Sequence, residues 1–154
     1  MNNLEQPSAD CFICRKHRGE IFVPGGFLYE DALVYASHIG QQDHPTYLGY
    51  LMVETKRHVA ALADLTNSEA QATGLLVTRL SRALKACTAA EHIYEFVLGH
   101  HVAHLHIHVL PRYPGAPRQY WGTHTDEWPD APRGGVQEIE ALCERIRAFL
   151  ESER

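Results

Sequence analysis

No apolar run in the 154 residues reaches the roughly 20 needed to cross a bilayer, which excludes a helical membrane span. A basic surplus is missing too: 14 Lys and Arg stand against 19 Asp and Glu, and the net charge is -5 with histidine neutral. General nucleic-acid and anionic-membrane binders are usually basic, so neither class fits and neither is expected as a partner. The N-terminus, Met1-Asn2-Asn3-Leu4-Glu5-Gln6-Pro7, lacks the basic and apolar stretches of a secretory signal. A cytoplasmic location is therefore expected, where the 4 cysteines stay reduced. Internal repeats and low-complexity tracts are also absent, which excludes solenoids and linker-like chains.

What is present has the balance of an ordinary globular protein, 45% hydrophobic and 21% charged. The length fits one domain with a real core. Residues 1–9 read as a flexible tail and 10–154 as a single domain. Leu33-Val34-Tyr35-Ala36 and Tyr50-Leu51-Met52-Val53 are apolar runs of buried strands, joined by a loop from Gly40 to Gly49. Thr66-Asn67-Ser68-Glu69 is a capping box. Behind it Ala72, Leu76, Leu80, Ala83, Leu84 and Cys87 recur at helical spacing. His92 to Val97 and His104 to Leu110 read as two further strands, the second stopped by Pro111. Residues 113–135 carry four prolines and Gly134-Gly135, and read as an extended, mostly irregular segment. Val136, Ile139, Leu142, Cys143, Ile146, Phe149 and Leu150 mark a last amphipathic helix over 136–151. Cys87 and Cys143 read as small core residues. The pattern predicts an α+β fold, an antiparallel sheet packed with helices.

Eleven histidines are unusual for this length, and three stand in one row. In His104-Leu105-His106-Ile107-His108-Val109-Leu110 the period of a strand puts the three imidazoles on one face and the apolar residues on the other. Such rings can attack, orient one another or hold a metal. A zinc-dependent hydrolase using the H-x-H pair is one chemistry open to them. Cys11-Phe12-Ile13-Cys14 is a second motif, with the spacing of a zinc knuckle. A redox pair or two core cysteines also fit that spacing.

The alternating histidines resemble the signature of the histidine-triad (HIT) family of nucleotide hydrolases and transferases. Tyr29-Glu30-Asp31, Lys56-x-His58, Pro111-Arg112-Tyr113 and Trp121-x-x-His124 are similar to the family as well. The resemblance covers roughly residues 11 to 124. It implies an HIT-like homodimer that acts on a small nucleotide. Its catalytic step would be attack of His106 on the α-phosphorus, through a covalent nucleotidyl-histidine, with His108 orienting the site and binding phosphate oxygens. It also implies the zinc-containing bacterial type, with one structural zinc per chain on Cys11, Cys14, His58 and His104. A non-catalytic nucleotide-binding sensor on the same fold is the other class.

Two departures from the family pattern stand out. Gly99-His100-His101 replaces the usual Gly-Gln-Ser/Thr before the triad, so His100 and His101 become candidates for binding the phosphate and for general acid catalysis. His38 falls where the family has an Asp that holds the ribose hydroxyls. That makes His38 a substrate-binding candidate, with His44 in the following loop near the same pocket. Both also fit ordinary solvent-facing polar positions. Trp121 and Trp128 lie in the Pro-rich segment, which in the family tends to reach toward the dimer partner; packing beneath their own loop is the plainer reading.

Overall fold

The computed structural model describes residues 9–154; of the tail expected over 1–9, residues 1–8 lie outside the described residues. In chain order the elements are α1 (Phe12–His17), β1 (Phe27–Glu30), β2 (Val34–His38), β3 (Thr46–Tyr47), β4 (Leu51–Thr55), α2 (Asn67–Thr88), β5 (His92–Phe96), β6 (His106–Arg112), β7 (Arg133–Gly134) and α3 (Val136–Ser152). Five strands form one antiparallel sheet in the order β1-β2-β4-β6-β5. The α+β fold expected from the sequence is the fold observed.

The sheet has two unlike faces because its central strands alternate. Val34, Ala36, Leu51, Val53, Ile107 and Val109 point to one side, where Leu80 and Leu84 of α2 and Ile139 and Ile146 of α3 close a continuous core. Cys143 is fully buried there, and Cys87 packs against its margin. The other face carries Tyr35, Met52, Glu54, His106 and His108, and α1 lies against part of it. Burial of the first face fixes the register, since a slip of one residue would exchange the two faces.

Local chemistry sets the element ends. The Asp31 carboxylate accepts the amides of Leu33 and Val34 at 2.7 and 2.9 Å, turning β1 into β2. The Thr66 hydroxyl accepts the Glu69 amide at 3.2 Å, and Glu69 accepts the Thr66 amide at 2.9 Å. This is the capping box that opens α2.

Three boundaries differ from expectation. The strand expected over 104–110 runs instead over His106–Arg112, so His104 precedes it and Pro111 lies within it. Pro111 is tolerated because β4 pairing ends at Leu51 opposite Val109. In a strand the nitrogen and carbonyl of one residue face the same side. The Pro111 carbonyl takes the Tyr47 hydroxyl, so its missing N–H faces away from β5, where no ladder bond is lost. Thirdly, the 40–49 loop contains β3, which pairs with β7 from the Pro-rich segment, Thr46 opposite Gly134 and Tyr47 opposite Arg133. That segment also holds two short 3-10 helices, Arg118–Tyr120 and Gly122–Glu127.

Gly49 joins these parts. Its φ is +86°, and a Cβ there would lie 2.8 Å from Pro111 Cγ and 3.2 Å from Leu84 Cδ2. Gly49→Ala is expected to destabilise the fold by about 1–3 kcal/mol, from left-handed strain and overpacking. Gly74→Ala, in an open position of α2, should stabilise by up to ~1 kcal/mol. Thermal denaturation of the two variants checks the pair; equal effects would overturn the account of Gly49.

Candidate active site and metal centre

Cys11 caps α1, its sulfur accepting the Cys14 amide at 3.4 Å. The tight turn aims both sulfurs at one point. His58, after β4, and His104, before β6, bring their Nδ1 atoms to the same point. The separations are 3.4 Å for Cys14 Sγ to His58 Nδ1, 3.5 Å from each sulfur to His104 Nδ1, and 3.2 Å between the two nitrogens. All four donor atoms lie within 4.8 Å of one another. A tetrahedral ion at ordinary zinc–sulfur and zinc–nitrogen bond lengths holds its ligands roughly 3.3–3.8 Å apart, so the donor set fits such an ion. His104 Nε2–H donates to the Thr55 carbonyl at 2.6 Å. This fixes the tautomer that leaves Nδ1 free to ligate. The residues expected to hold a metal are thus brought together, with His104 fully buried.

His106 is the first residue of β6 and its ring is half-buried. Its Nδ1–H donates to the His104 carbonyl at 2.7 Å, so the lone pair is on Nε2. His108 lies two residues on, its ring centroid 5.2 Å from that of His106. Phe96 stacks on His108 at 4.6 Å and 15°, while the Tyr50 hydroxyl bonds His108 Nδ1 at 2.6 Å. Burial, aided by the neighbouring His106, pushes His108 down to about 4. It is neutral at physiological pH, with the ring set in one orientation. The expected same-face row is therefore two rings plus a third, His104, turned to the cysteines; its ring neighbours are His17 and His58.

Glu54 sits opposite His106 in the β4–β6 register and is 1% exposed. One carboxylate oxygen takes Lys16 Nζ, and the other accepts from His17 Nε2 at 2.8 Å. Burial pushes the Glu54 carboxyl up, but the His17 bond and the Lys16 charge outweigh it and hold it below the usual carboxylate range. Helix α1 is thereby fastened to the sheet beside the cysteine–histidine cluster.

A family model, the HIT domain, matches residues 22–115 of the chain. The chain belongs to the HIT domain family. Solved structures with the same fold include a Zn-bound histidine triad family protein from Mycobacterium smegmatis (20% identity, TM-score 0.70, covering 94% of this chain and 98% of that one). A Hit-like protein from Bartonella henselae is similar at 21% identity and a TM-score of 0.68, covering 92% and 98%. A hypothetical histidine triad nucleotide-binding protein from Sulfolobus tokodaii matches at 21% identity and 0.69, covering 92% and 93%. No curated protein matches the chain. HIT proteins generally hydrolyse or transfer nucleotides, and no helix among the described residues is long and apolar enough to cross a membrane.

Next to the histidines this HIT domain opens a cavity of about 710 Å³. Phe22, Val23, Pro24 and Ile39 supply apolar wall; Tyr50, Asp126 and Arg133 supply polar wall. His106 and His108 do not line it, and Tyr50 connects the two regions through its bond to His108. His38 lines the cavity but is 1% exposed. Its Nδ1–H donates to the Ile39 carbonyl, and its Nε2 accepts the Gly49 amide at 2.9 Å. Both ring nitrogens are therefore taken by backbone, and in this arrangement neither is open to a ribose hydroxyl. His44 is exposed, with Nδ1 bonded to the Asp43 carbonyl at 2.6 Å. His100 and His101 are exposed with ring centroids 6.2 Å apart. Among the described residues neither bonds to or packs on His106 or His108. Trp128 packs on the cluster of Tyr47, Tyr50, Leu110 and Tyr113, whereas Trp121 is 39% exposed with Arg112 stacked 3.7 Å from its ring.

Sequence reasoning missed Tyr50, Phe96, Thr55 and the Lys16–Glu54–His17 cluster. Glu54 did give a signal: a carboxylate inside an apolar strand must find a partner. Tyr50 gave none, because its hydroxyl and its apolar ring read alike in a buried run.

Burial, outweighing the Ile39 bond, pushes His38 down to about 4. In the unfolded chain a histidine titrates near 6.5. The unfolded state therefore binds the proton first as pH falls. The stability contributed by neutral His38 is full above pH ~6.5 and drains away toward pH ~4, by on the order of a few kcal/mol. His38→Gln should show a shallower loss of thermal stability between pH 6.5 and 5 than the unmodified chain, whatever its stability at neutral pH. Parallel slopes in the two proteins would remove His38 from the account.

Proposed function

We propose that the chain is a nucleotide hydrolase or nucleotidyl transferase acting at the α-phosphorus through a covalent nucleotidyl-His106. The observation that carries this reading is the His106 Nδ1–H bond to the His104 carbonyl, which leaves Nε2 as a neutral nucleophile on a half-exposed ring. Attack by Nε2 forms a phosphorus–nitrogen bond as the bond to the leaving group breaks, and the leaving group departs with its electron pair. The imidazolium so formed shares its charge with the His104 carbonyl through Nδ1–H. Water or another acceptor then attacks phosphorus and gives up its proton to solvent, the phosphorus–nitrogen bond breaks with its electron pair returning to Nε2, and the neutral imidazole is restored. With the Tyr50 hydroxyl donating to Nδ1 of His108, that ring keeps its proton on Nε2 and offers it to a non-bridging oxygen. His100 and His101, on the segment that leads into β6, are assigned as phosphate contacts of the loaded site. Small-molecule nucleotides are the partners of this reading, and a cytoplasmic homodimer is its assembly; β5 lies at an open edge of the sheet.

We assign the donor set of Cys11, Cys14, His58 and His104 to one structural zinc per chain. Its fit to tetrahedral separations supports this, as does the zinc bound by the Mycobacterium smegmatis protein. Four protein ligands leave no position for a reactive water, which speaks against a zinc-water hydrolase built on the H-x-H pair. When bound, the ion would tie α1 to the start of β6.

His106→Ala should lose turnover by about 10³-fold or more while the chain still folds and binds nucleotide; His108→Ala should lose less. A screen over nucleoside phosphoramidates, dinucleoside polyphosphates and nucleotide sugars supplies the substrate. Mass spectrometry after an alkaline quench should find the nucleotidyl adduct on His106. Near-normal turnover of His106→Ala would overturn the assignment of the nucleophile, and tight binding without turnover by the unmodified chain would favour a sensor.

Elemental analysis should give about one zinc per chain. Cys14→Ala should lose it and lower the melting temperature more than Cys87→Ala does. Metal-free protein from a chelator-free preparation would remove zinc from the reading.

A further inference from the structure

The carboxylate of Asp126 has no role in the chemistry above, yet it lies on the wall of the cavity. It belongs to the 3-10 helix Gly122–Glu127, far in sequence from the triad. Its backbone carbonyl accepts from the Arg133 guanidinium, which also donates to the Trp128 carbonyl at 3.2 Å. Its side chain accepts from its own backbone amide and from no other described side chain. The side chain is half-buried, and burial pushes its carboxyl above the ordinary range. A carboxylate in that condition gains most from a donor that arrives with a ligand.

Asp126 is close enough for its charge to raise the Tyr50 phenol, after the larger effect of burial. Tyr50 in turn bonds His108. The part of a nucleotide next to the phosphate is its sugar, so the sugar would lie where Tyr50 borders the cavity. A divalent cation is a poor fit, because the Arg133 guanidinium flanks the same wall and the other carboxylate of the lining, Asp43, stands exposed on the loop before β3. A carboxylate has two oxygens that only accept, and two neighbouring hydroxyls can donate one bond to each. With both nitrogens of His38 committed to Ile39 and Gly49, Asp126 is the half-buried carboxylate of the lining whose charge reaches Tyr50, whereas Gln41, Gln42 and Asp43 line the cavity from an exposed loop.

We propose that Asp126 holds the ribose cis-diol and makes the site selective for ribonucleotides over deoxyribonucleotides. This rests on the nucleotide reading above. It places a specificity-determining residue in the Pro-rich segment, outside the strand that carries the histidines.

The test compares Asp126→Asn with the unmodified chain by calorimetric binding of the four common ribonucleoside monophosphates, their 2′-deoxy counterparts and ribose 5-phosphate. Asp130→Asn, at an exposed site on the same segment, removes the same charge as a control. Charge-assisted hydrogen bonds imply that the unmodified chain prefers ribo over deoxy by about 10-fold or more. Asp126→Asn should weaken the ribonucleotide by a similar factor, leave the deoxynucleotide within about 2-fold, and so abolish the preference; Asp130→Asn should keep it. If Asp126→Asn keeps the preference, the inference is overturned while the nucleotide reading stands. A loss in Asp126→Asn that is equal for ribo and deoxy but confined to one base assigns the carboxylate to the base and overturns the diol. Failure of every probe to bind the unmodified chain overturns the inference and the nucleotide reading together.

Discussion

Much of this protein hangs on one residue bonded in three directions. The His104 ring presents Nδ1 to two sulfurs and a second imidazole, its Nε2–H is held by the Thr55 carbonyl, and its own carbonyl holds the Nδ1–H of His106. The metal-type cluster and the proposed nucleophile are thus connected through a single peptide unit. A shift of His104 toward or away from the cysteines moves the carbonyl that sets the His106 tautomer. A four-residue donor set beside the proposed nucleophile thus fixes the backbone from which that ring is aimed.

A second constraint is that polar groups stand on a face of the sheet that α1 partly covers. Glu54 is nearly inaccessible, and a buried carboxylate with one partner removed is strongly destabilising. Here both oxygens are occupied, by Lys16 and His17 from consecutive positions of α1. The short helix is too small to bury much apolar surface of its own. Its grip on the sheet comes from this ion pair and from the two cysteines at its start.

Periodicity made most of the frame legible. Alternation in β2, β4 and β6, the capping box at Thr66 and the stripe of α3 each bury a face, and burial is what a sequence pattern encodes. The clustering of Cys11, Cys14, His58 and His104 was legible too, though through the family resemblance more than through spacing; C-x-x-C alone left a redox pair open. Less legible was anything decided by tertiary partners. Pro111 reads as a strand stop until the Tyr47 hydroxyl and the end of β4 supply its context. His38 reads as an open polar side chain until Gly49 and Ile39 occupy its ring. Tyr50 and Phe96, which set the orientation of His108, look like any apolar residues in a strand.

The β3–β7 pairing has only two rungs, yet it joins residues almost ninety positions apart, Thr46 to Gly134 and Tyr47 to Arg133. Together they shape the cavity wall that carries Asp126. Pairings so distant in sequence close late during folding, because the entropy of the intervening loop must be overcome first. A two-rung ladder also opens at lower free energy than a five-stranded sheet. The histidine strand and the pocket beside it are therefore expected to belong to different cooperative units. Amide exchange at Thr46 and Tyr47 would outrun exchange in β4 and β6, and ligand entry could proceed through local opening of this clasp while the rings of His106 and His108 stay in place.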